Sequence, residues 1–534
     1  MTNEVTYQSF IIPSAKYNET LRKSSHSHSP SSVTKESTLA LPNDNTNRNL
    51  FYQQGSKKVL LFNQFQTVHQ VDVDSLQFLG PVSHHDDVLK TIGAADDLAF
   101  SSSEPVEYID PLMATVYLIN YIIVPVENSS TSVLYLTATD DQGIRKIFGS
   151  TPLPYLPGYL PAVAVIDDYV LITIHPIEFD LSVFTATSSC LTCALKSHLT
   201  SLPTDFYVFS LLSLSVHHIP DGDLDFYPIQ HIEISPADVP PFFVTQFISG
   251  WVDSSDSDDF PNDETMTAHM CVLTDPLKQV EKAVNLFSFG NLETMRRSPH
   301  EENLNLYCDE IQRFEIPIPS RYLPRHVYQS TKSPSFGLGP SSSSQISKSP
   351  IRLTDENFRE IGIHSVVMNP HFQTRTFCFI YGLSAEDSGV ISSLPGRLVK
   401  FNLCVEEEER DGEEDESYGS RGSISSSLDE VTYPKIPTFV SSFSDDRMLF
   451  GKPVFVPNSR DRNVSPGGEE EFPLAAESEE EEMGSILLPM KSKSNGKSYL
   501  NIIDAHTMKV EAFIESPSEL HYSWKAIFVS QEDM

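Results

Sequence analysis

Histidines, cysteines and runs of acid are the residues of this chain that could hold a metal ion or move a proton. Their spacing argues against most of that chemistry. His84–His85 and His217–His218 are adjacent pairs, and neighbours on a strand point to opposite faces, so neither pair chelates from one strand. His26 and His28 lie in a Ser-rich stretch, and His175 and His231 sit in strand-like runs, where a histidine is ordinarily satisfied or exposed. Cys190 and Cys193 form one CxxC without the second pair that a structural zinc site needs. Calcium would require alternating oxygen ligands around a turn glycine, and neither "DSSDSDDFPNDE" (253–264) nor "EEEERDGEEDE" (406–416) has that order. There is no G-x-S-x-G elbow, P-loop or G-x-G-x-x-G, and "FGLGPSSSS" reads as a linker, so acyl-transfer and nucleotide chemistry lack their local signals.

The elements that would have to position any site belong to a chain of 534 residues, 39% of them hydrophobic, which can bury a large core. Its 37 basic against 73 acidic residues give a net charge of −36, the wrong sign for a phosphate-neutralising surface, so nucleic acid is excluded as a partner. Three runs, Asp253–Glu264, Glu406–Glu416 and Glu469–Glu482, hold 22 of the 36 excess charges. Such runs repel themselves and carry little apolar area, which predicts solvated loops. No leader follows Met1, and the longest apolar candidate, Met113–Val126, is too short to span a bilayer and contains Asn120. With six cysteines, too few for a disulfide scaffold, a soluble protein of the reduced cytoplasm is expected.

Short β-branched or aromatic runs, among them "KVLLFNQF" (58–65), "ATVYLINYIIV" (114–124), "SVLYLTA" (132–138), "DYVLITI" (168–174), "TFCFIYG" (376–382) and "GRLVKFNL" (396–403), are separated by Pro, Asn, Asp and Ser. They predict an all-β protein, with sandwich, barrel and propeller all open and length favouring a propeller. Segments near 21–40, 253–264, 330–350, 405–430 and 458–483 read as disordered insertions. Strand-like sequence resumes after each, so residues 1–534 are expected to form one domain.

Several blocks resemble the carotenoid cleavage oxygenase family, in its animal branch of β-carotene oxygenases and retinoid isomerase. "EVTYQSFIIPSAKY" (4–17) resembles its V-T-Y-x-S strand pair, "DNTNRNLFYQQGSKKVLLFNQFQTVHQVDVDSLQFLG" (44–80) its D-N-T-N-V-N block, and "GKPVFVPN" (451–458) with "GKSYLNIIDAHTMKVEAFIE" (496–515) its C-terminal blocks. The resemblance implies a seven-bladed β-propeller with an apolar tunnel leading to an axial Fe(II), held by four histidines that three outer-sphere glutamates orient. The family's R-N-G-P-G turn and F-D-G motif have no counterpart before the V-T-Y strand, so the N-terminal blade is expected to be incomplete.

Matched position by position, the resemblance places Glu104, Pro161, Gln246 and Lys525 where the ligand histidines belong, and Gln64, His364 and Lys452 where the glutamates belong. Proline offers no side-chain donor, glutamine only a weak neutral oxygen, and lysine a positive charge. Glu104 alone could still ligate, or pair with Lys525 across the vacated axis near Lys452. No metal and no catalytic residue are therefore expected. The implied function is that of a pseudoenzyme: a non-catalytic relative that binds a carotenoid or retinoid ligand or serves as a scaffold, with peripheral membrane contact implied by the resemblance. The alternative is an active Fe(II) dioxygenase with non-standard ligands. Tyr159, Phe247, Trp251 and Trp524 are the candidate tunnel-lining aromatics, with plain core as the competing role.

Overall fold

Strand after strand in the computed structural model pairs antiparallel with its sequence neighbour, as β-branched and aromatic runs bounded by turn residues should. The structure describes residues 49–53, 57–62, 68–75, 77–82, 100–101, 105–110, 115–126, 130–140, 143–158, 163–186, 194–198, 201–211, 228–235, 242–254, 263–273, 310–319, 347–351, 353, 362–373, 377–384, 396–403, 438–445, 447–458 and 480–516.

Among them the strands form six sheets of four or five strands in chain order, the blades of a β-propeller, and one two-stranded hairpin. Blade one is Asn49–Gln53, Lys58–Phe62, His69–Asp72 and Phe78–Pro81. Blade two opens with two short strands, Phe100–Ser101 and Val106–Ile109, both paired to Val116–Pro125, and continues with Ser132–Thr139 and Arg145–Leu153. Blade three is Ala164–Ile166, Tyr169–Ile174, Thr204–Ser210 and Gln230–Ile234; blade four is Phe243–Ser254, Asp263–Leu273, Glu310–Pro319 and Ser347–Ile351. Blade five is His364–Val367, Phe379–Ser384, Arg397–Asn402 and Thr438–Ser444. Blade six opens with Met448–Phe450 and Val454–Pro457, both paired to Gly484–Ser492, and ends with Ser498–Asp504 and Val510–Glu515. A hairpin, Ile177–Phe179 with Leu195–Ser197, and the short helix Leu181–Ala186 interrupt blade three. No described helix is long and apolar enough to cross a membrane.

The six quoted runs all contain strands. The blade number differs from the expected seven: six blades and the hairpin use every described strand, leaving none for another blade. The strand pair expected at 4–17 lies outside the described residues, as do the segments 21–40 and 405–430.

The apolar core is a series of wedges, one between each pair of consecutive blades. Leu60, Val68 and Leu118 join blades one and two; a cluster that includes Ile119, Leu136, Ile172 and Phe209 joins two and three. Phe206, Phe242 and Phe314, with ring centroids 5.4–6.4 Å apart, anchor three to four. Central strands are buried on both faces: every residue of Tyr169–Ile174 is buried, so it reads as an unbroken apolar run rather than an alternation. A two-residue loop turns the Ile166/Tyr169 hairpin, with Asp167 at φ 51°, a conformation Asp tolerates better than bulkier residues. The same loop ties blades together: Tyr108 Oη donates to Asp168 Oδ1 (3.1 Å), and Val252 N–H donates to Asp167 Oδ2 (3.1 Å).

The acidic and Ser-rich segments are less uniformly loop than their composition predicts. Asp253–Ser254 and Asp263–Glu264 lie in paired strands of blade four, and Ser347–Ile351 is that blade's fourth strand. Glu481 and Glu482, the end of the third acidic run, are 3% and 8% exposed at the seam of blades five and six. Glu481 accepts from the backbone N–H groups of Cys378 (2.9 Å) and Phe379 (2.5 Å). Glu482 pairs with the buried Lys400 ammonium and with His506 Nδ1 (2.8 Å). Lys400 also donates to the carbonyls of Ala505 (3.1 Å) and His506 (2.8 Å) and sits over the rings of Phe379 and Tyr381. Asn369 Nδ2 holds the turn by donating to the Glu481 carbonyl (3.2 Å). These partners, invisible to charge counting, convert two acids of a like-charge run into buried contacts.

Candidate functional site at the inner strands

The first strands of the blades pack on one another: Val106–Ile109 on Ala164–Ile166, Ala164–Ile166 on Phe243–Ser254, and Phe243–Ser254 on His364–Val367. They are the inner strands, and two of the seven positions matched to the family's metal site lie on them, Gln246 and His364, while a third, Lys452, lies just before Val454–Pro457 of blade six. Glu104, Pro161, Lys525 and Gln64 lie outside the described residues, so the Glu104–Lys525 pair does too; of His364 the backbone alone is described.

Two register shifts, between Val244 and Gln246 and between Phe247 and Ser249, break the alternation of this inner strand and re-aim its side chains. The Gln246 side chain reaches across to blade five and pairs with the Val366 backbone at both ends. Nε2 donates to the Val366 carbonyl (2.7 Å), and Oε1 accepts from the Val366 N–H (3.1 Å). The amide thus imitates a strand neighbour for a backbone unit of His364–Val367. A glutamine so held has one oxygen lone pair and one N–H committed to Val366, an arrangement that joins two blades.

Gln246 and Phe247 line a cavity of about 10 Å³, walled also by Ala164, Leu171, Thr173, Val244, Thr245 and Met270, which is the room one water needs. Phe247 is thus at the wall of a cavity of single-water size. Trp251 is not part of that wall. It stacks on His269 (5.2 Å), meets Phe377 edge-on (6.4 Å) and lies beneath the Arg313 guanidinium (5.9 Å), so it packs blade four on blade five. Tyr159 and Trp524 lie outside the described residues. Lys452 is half-buried just before Val454–Pro457.

Two buried histidines flank this region. His175 Nε2 accepts from Val244 N–H (3.3 Å), and its ring stacks on Phe243 (4.5 Å). Burial pushes its pKa down to about 3, so the ring is neutral at physiological pH. Burial does the same to His269, also to about 3, with the Arg313 charge adding to the effect. Neutral imidazoles are the protonation state that metals bind, yet the lone pair of His175 Nε2 already serves a backbone amide.

A family model described as retinal pigment epithelial membrane protein (RPE65) matches residues 1–530. The chain belongs to the RPE65 family of carotenoid oxygenases. Its fold is similar to that of cobalt-substituted Synechocystis apocarotenoid oxygenase, with a TM-score of 0.53 at 15% identity over 90% of this chain and 73% of that one. A crystal structure of an ACO/RPE65 chimera is similar at a TM-score of 0.52 and 14% identity, with the same coverage. No curated protein sequence matches.

Within this RPE65-family propeller, sequence reasoning matched Gln246 to a ligand-histidine position but missed its contact with Val366. An amide that can both donate and accept is a fitting partner for a backbone peptide. Which peptide it meets, 120 residues later, depends on how two blades abut. His175 lies just after Tyr169–Ile174, buried, with Nε2 accepting from Val244 N–H.

Proposed function

We propose that this protein is a non-catalytic member of the RPE65 family that keeps the propeller as a binder of an apolar carotenoid or retinoid and no longer performs iron-dependent cleavage. The observation that carries this reading is Gln246, which stands where a ligand histidine is expected and has both ends of its amide engaged by Val366. The sequence adds a proline at 161 and a lysine at 525, neither able to replace an imidazole lone pair at neutral pH. This donor set does not fit an ion held by four imidazoles. Losing one outer-sphere partner typically costs about 10–100-fold in metal affinity or activity, so losing the imidazoles themselves removes the basis for binding.

The test is purification of the full chain from cells supplied with iron, followed by metal analysis, assay with β-carotene and titration with a retinoid followed by its absorbance. Iron far below one per chain, no aldehyde product and a saturable retinoid signal are expected. One iron per chain with aldehyde formation would overturn the reading in favour of an active dioxygenase with non-standard ligands. Absence of both iron and retinoid binding would leave the scaffold function as the better account.

A further inference from the structure

The outer half of blade three carries a second constellation, none of whose residues lines the cavity beside Gln246. Thr204–Ser210 and Gln230–Ile234 pair antiparallel with Asp205 opposite Glu233 and Tyr207 opposite His231. Side chains two apart on a strand share a face, so all four project together. Asp205 is 5% exposed; His231 and Glu233 are exposed. His231 Nε2 lies 3.1 Å from Asp205 Oδ1, and its ring is held flat on Tyr207, centroids 4.4 Å apart and planes 5° from parallel. One ligand atom from each of Asp205, His231 and Glu233 lies within 4.8 Å of the others.

The charge balance at this spot is what calls for a ligand. Like charges directly opposite on paired strands destabilise the pair, and Asp205 and Glu233 are so placed. Among the described residues no lysine or arginine offsets either one. Among the described residues the sole hydrogen-bond partner of the buried Asp205 side chain is His231, through Oδ1, and Glu233 has none.

We propose that Asp205, His231 and Glu233 form a binding site for a divalent transition-metal ion, best matched by Zn²⁺. Two carboxylates and a neutral imidazole bring two negative charges to a doubly positive ion. Zinc takes N and O ligands at about 2.0–2.2 Å, in sites of three protein groups with a fourth position for water or a partner's side chain. The imidazole selects against Ca²⁺ and Mg²⁺, which prefer all-oxygen shells, and zinc should bind more tightly than Mn²⁺ at a site of this kind. The ion takes the place of the proton between His231 Nε2 and Asp205, while the stacked ring stays on Tyr207 and the exposed Glu233 side chain closes on it. The reading does not depend on the fate of the family's axial iron.

The test uses full-length protein stripped by a chelator and titrated with Zn²⁺ against a competing fluorescent chelator, beside Glu233→Gln and His231→Gln. Glu233 is exposed, so Glu233→Gln should fold normally, checked by circular dichroism and melting of the metal-free protein. One saturable site is expected in the natural protein, weakened at least about 10-fold in each variant, by analogy with the smaller loss from outer-shell changes. Excess Ca²⁺ should not displace the zinc, and Zn²⁺ should raise the melting temperature of the natural protein alone. Equal zinc affinity in the natural protein and the folded Glu233→Gln variant would overturn the proposal, placing any bound zinc on other histidines or the acidic runs. Absence of a saturable site would overturn it as well.

Discussion

Glu481 should make the stability of this protein depend on pH in a way that a single substitution removes. Its carboxyl is 3% exposed, and burial raises its pKa from 4.5 to about 7, opposed in part by the Phe379 and Cys378 amides; Glu482 adds to the rise and Lys400 opposes it. Between those two values the folded protein holds a proton that the unfolded chain has released. The resulting stability is fully present below about pH 4.5 and is lost as pH climbs through 7. At about 1.4 kcal/mol per pH unit the whole effect is about 3 kcal/mol, of which about 2 falls between pH 5.5 and 8.5. Glu481→Gln keeps a carbonyl oxygen to accept from the two amides but cannot ionise. Urea unfolding of both proteins at the two pH values cancels the contribution of all other groups. The natural protein should gain about 2 kcal/mol relative to the variant at the lower pH. A difference between them that stays constant within about 0.5 kcal/mol would show that the seam tolerates the charge and would refute the reasoning.

Two further substitutions probe the inner strands. Gln246→Ala leaves the N–H and C=O of buried Val366 without their side-chain partner and should cost about 2 kcal/mol in urea unfolding; a loss under about 0.5 kcal/mol would mean that water replaces the amide fully. At Gly250 an added Cβ would meet Ile166 Cδ1 at 2.6 Å and the Thr267 carbonyl oxygen at 2.7 Å. Since the backbone oxygen cannot swing away, Gly250→Ala should destabilise by about 1–3 kcal/mol, seen as a lower melting temperature, whereas an unchanged one would mean that blades three and four are looser than their contacts indicate.

Strand identity was legible because it is local: "DYVLITI" and "SVLYLTA" carry β-branched and aromatic residues between turn formers, and both are strands. Blade number was not, since closure depends on how whole sheets abut. The acidic runs show the same divide. Composition alone assigns Glu469–Glu482 to solvent, yet Glu481 and Glu482 are drawn inside by two amides, Lys400 and His506, which lie up to 103 residues distant in the chain. Asp205 meets Glu233 through strand register, which a one-residue slip would abolish.

By itself the sequence determined an all-β chain, the family resemblance that the match over residues 1–530 bears out, and the residue types at the positions matched to the iron site. Tertiary structure alone decided what those residue types touch. Gln246 became a staple between blades, Trp251 a packing residue and Asp205 part of an acid–imidazole cluster. The physical reason is that hydrogen bonds and ion pairs act over about 3–4 Å, so their partners are set by the packing of blades that join residues far apart in the chain.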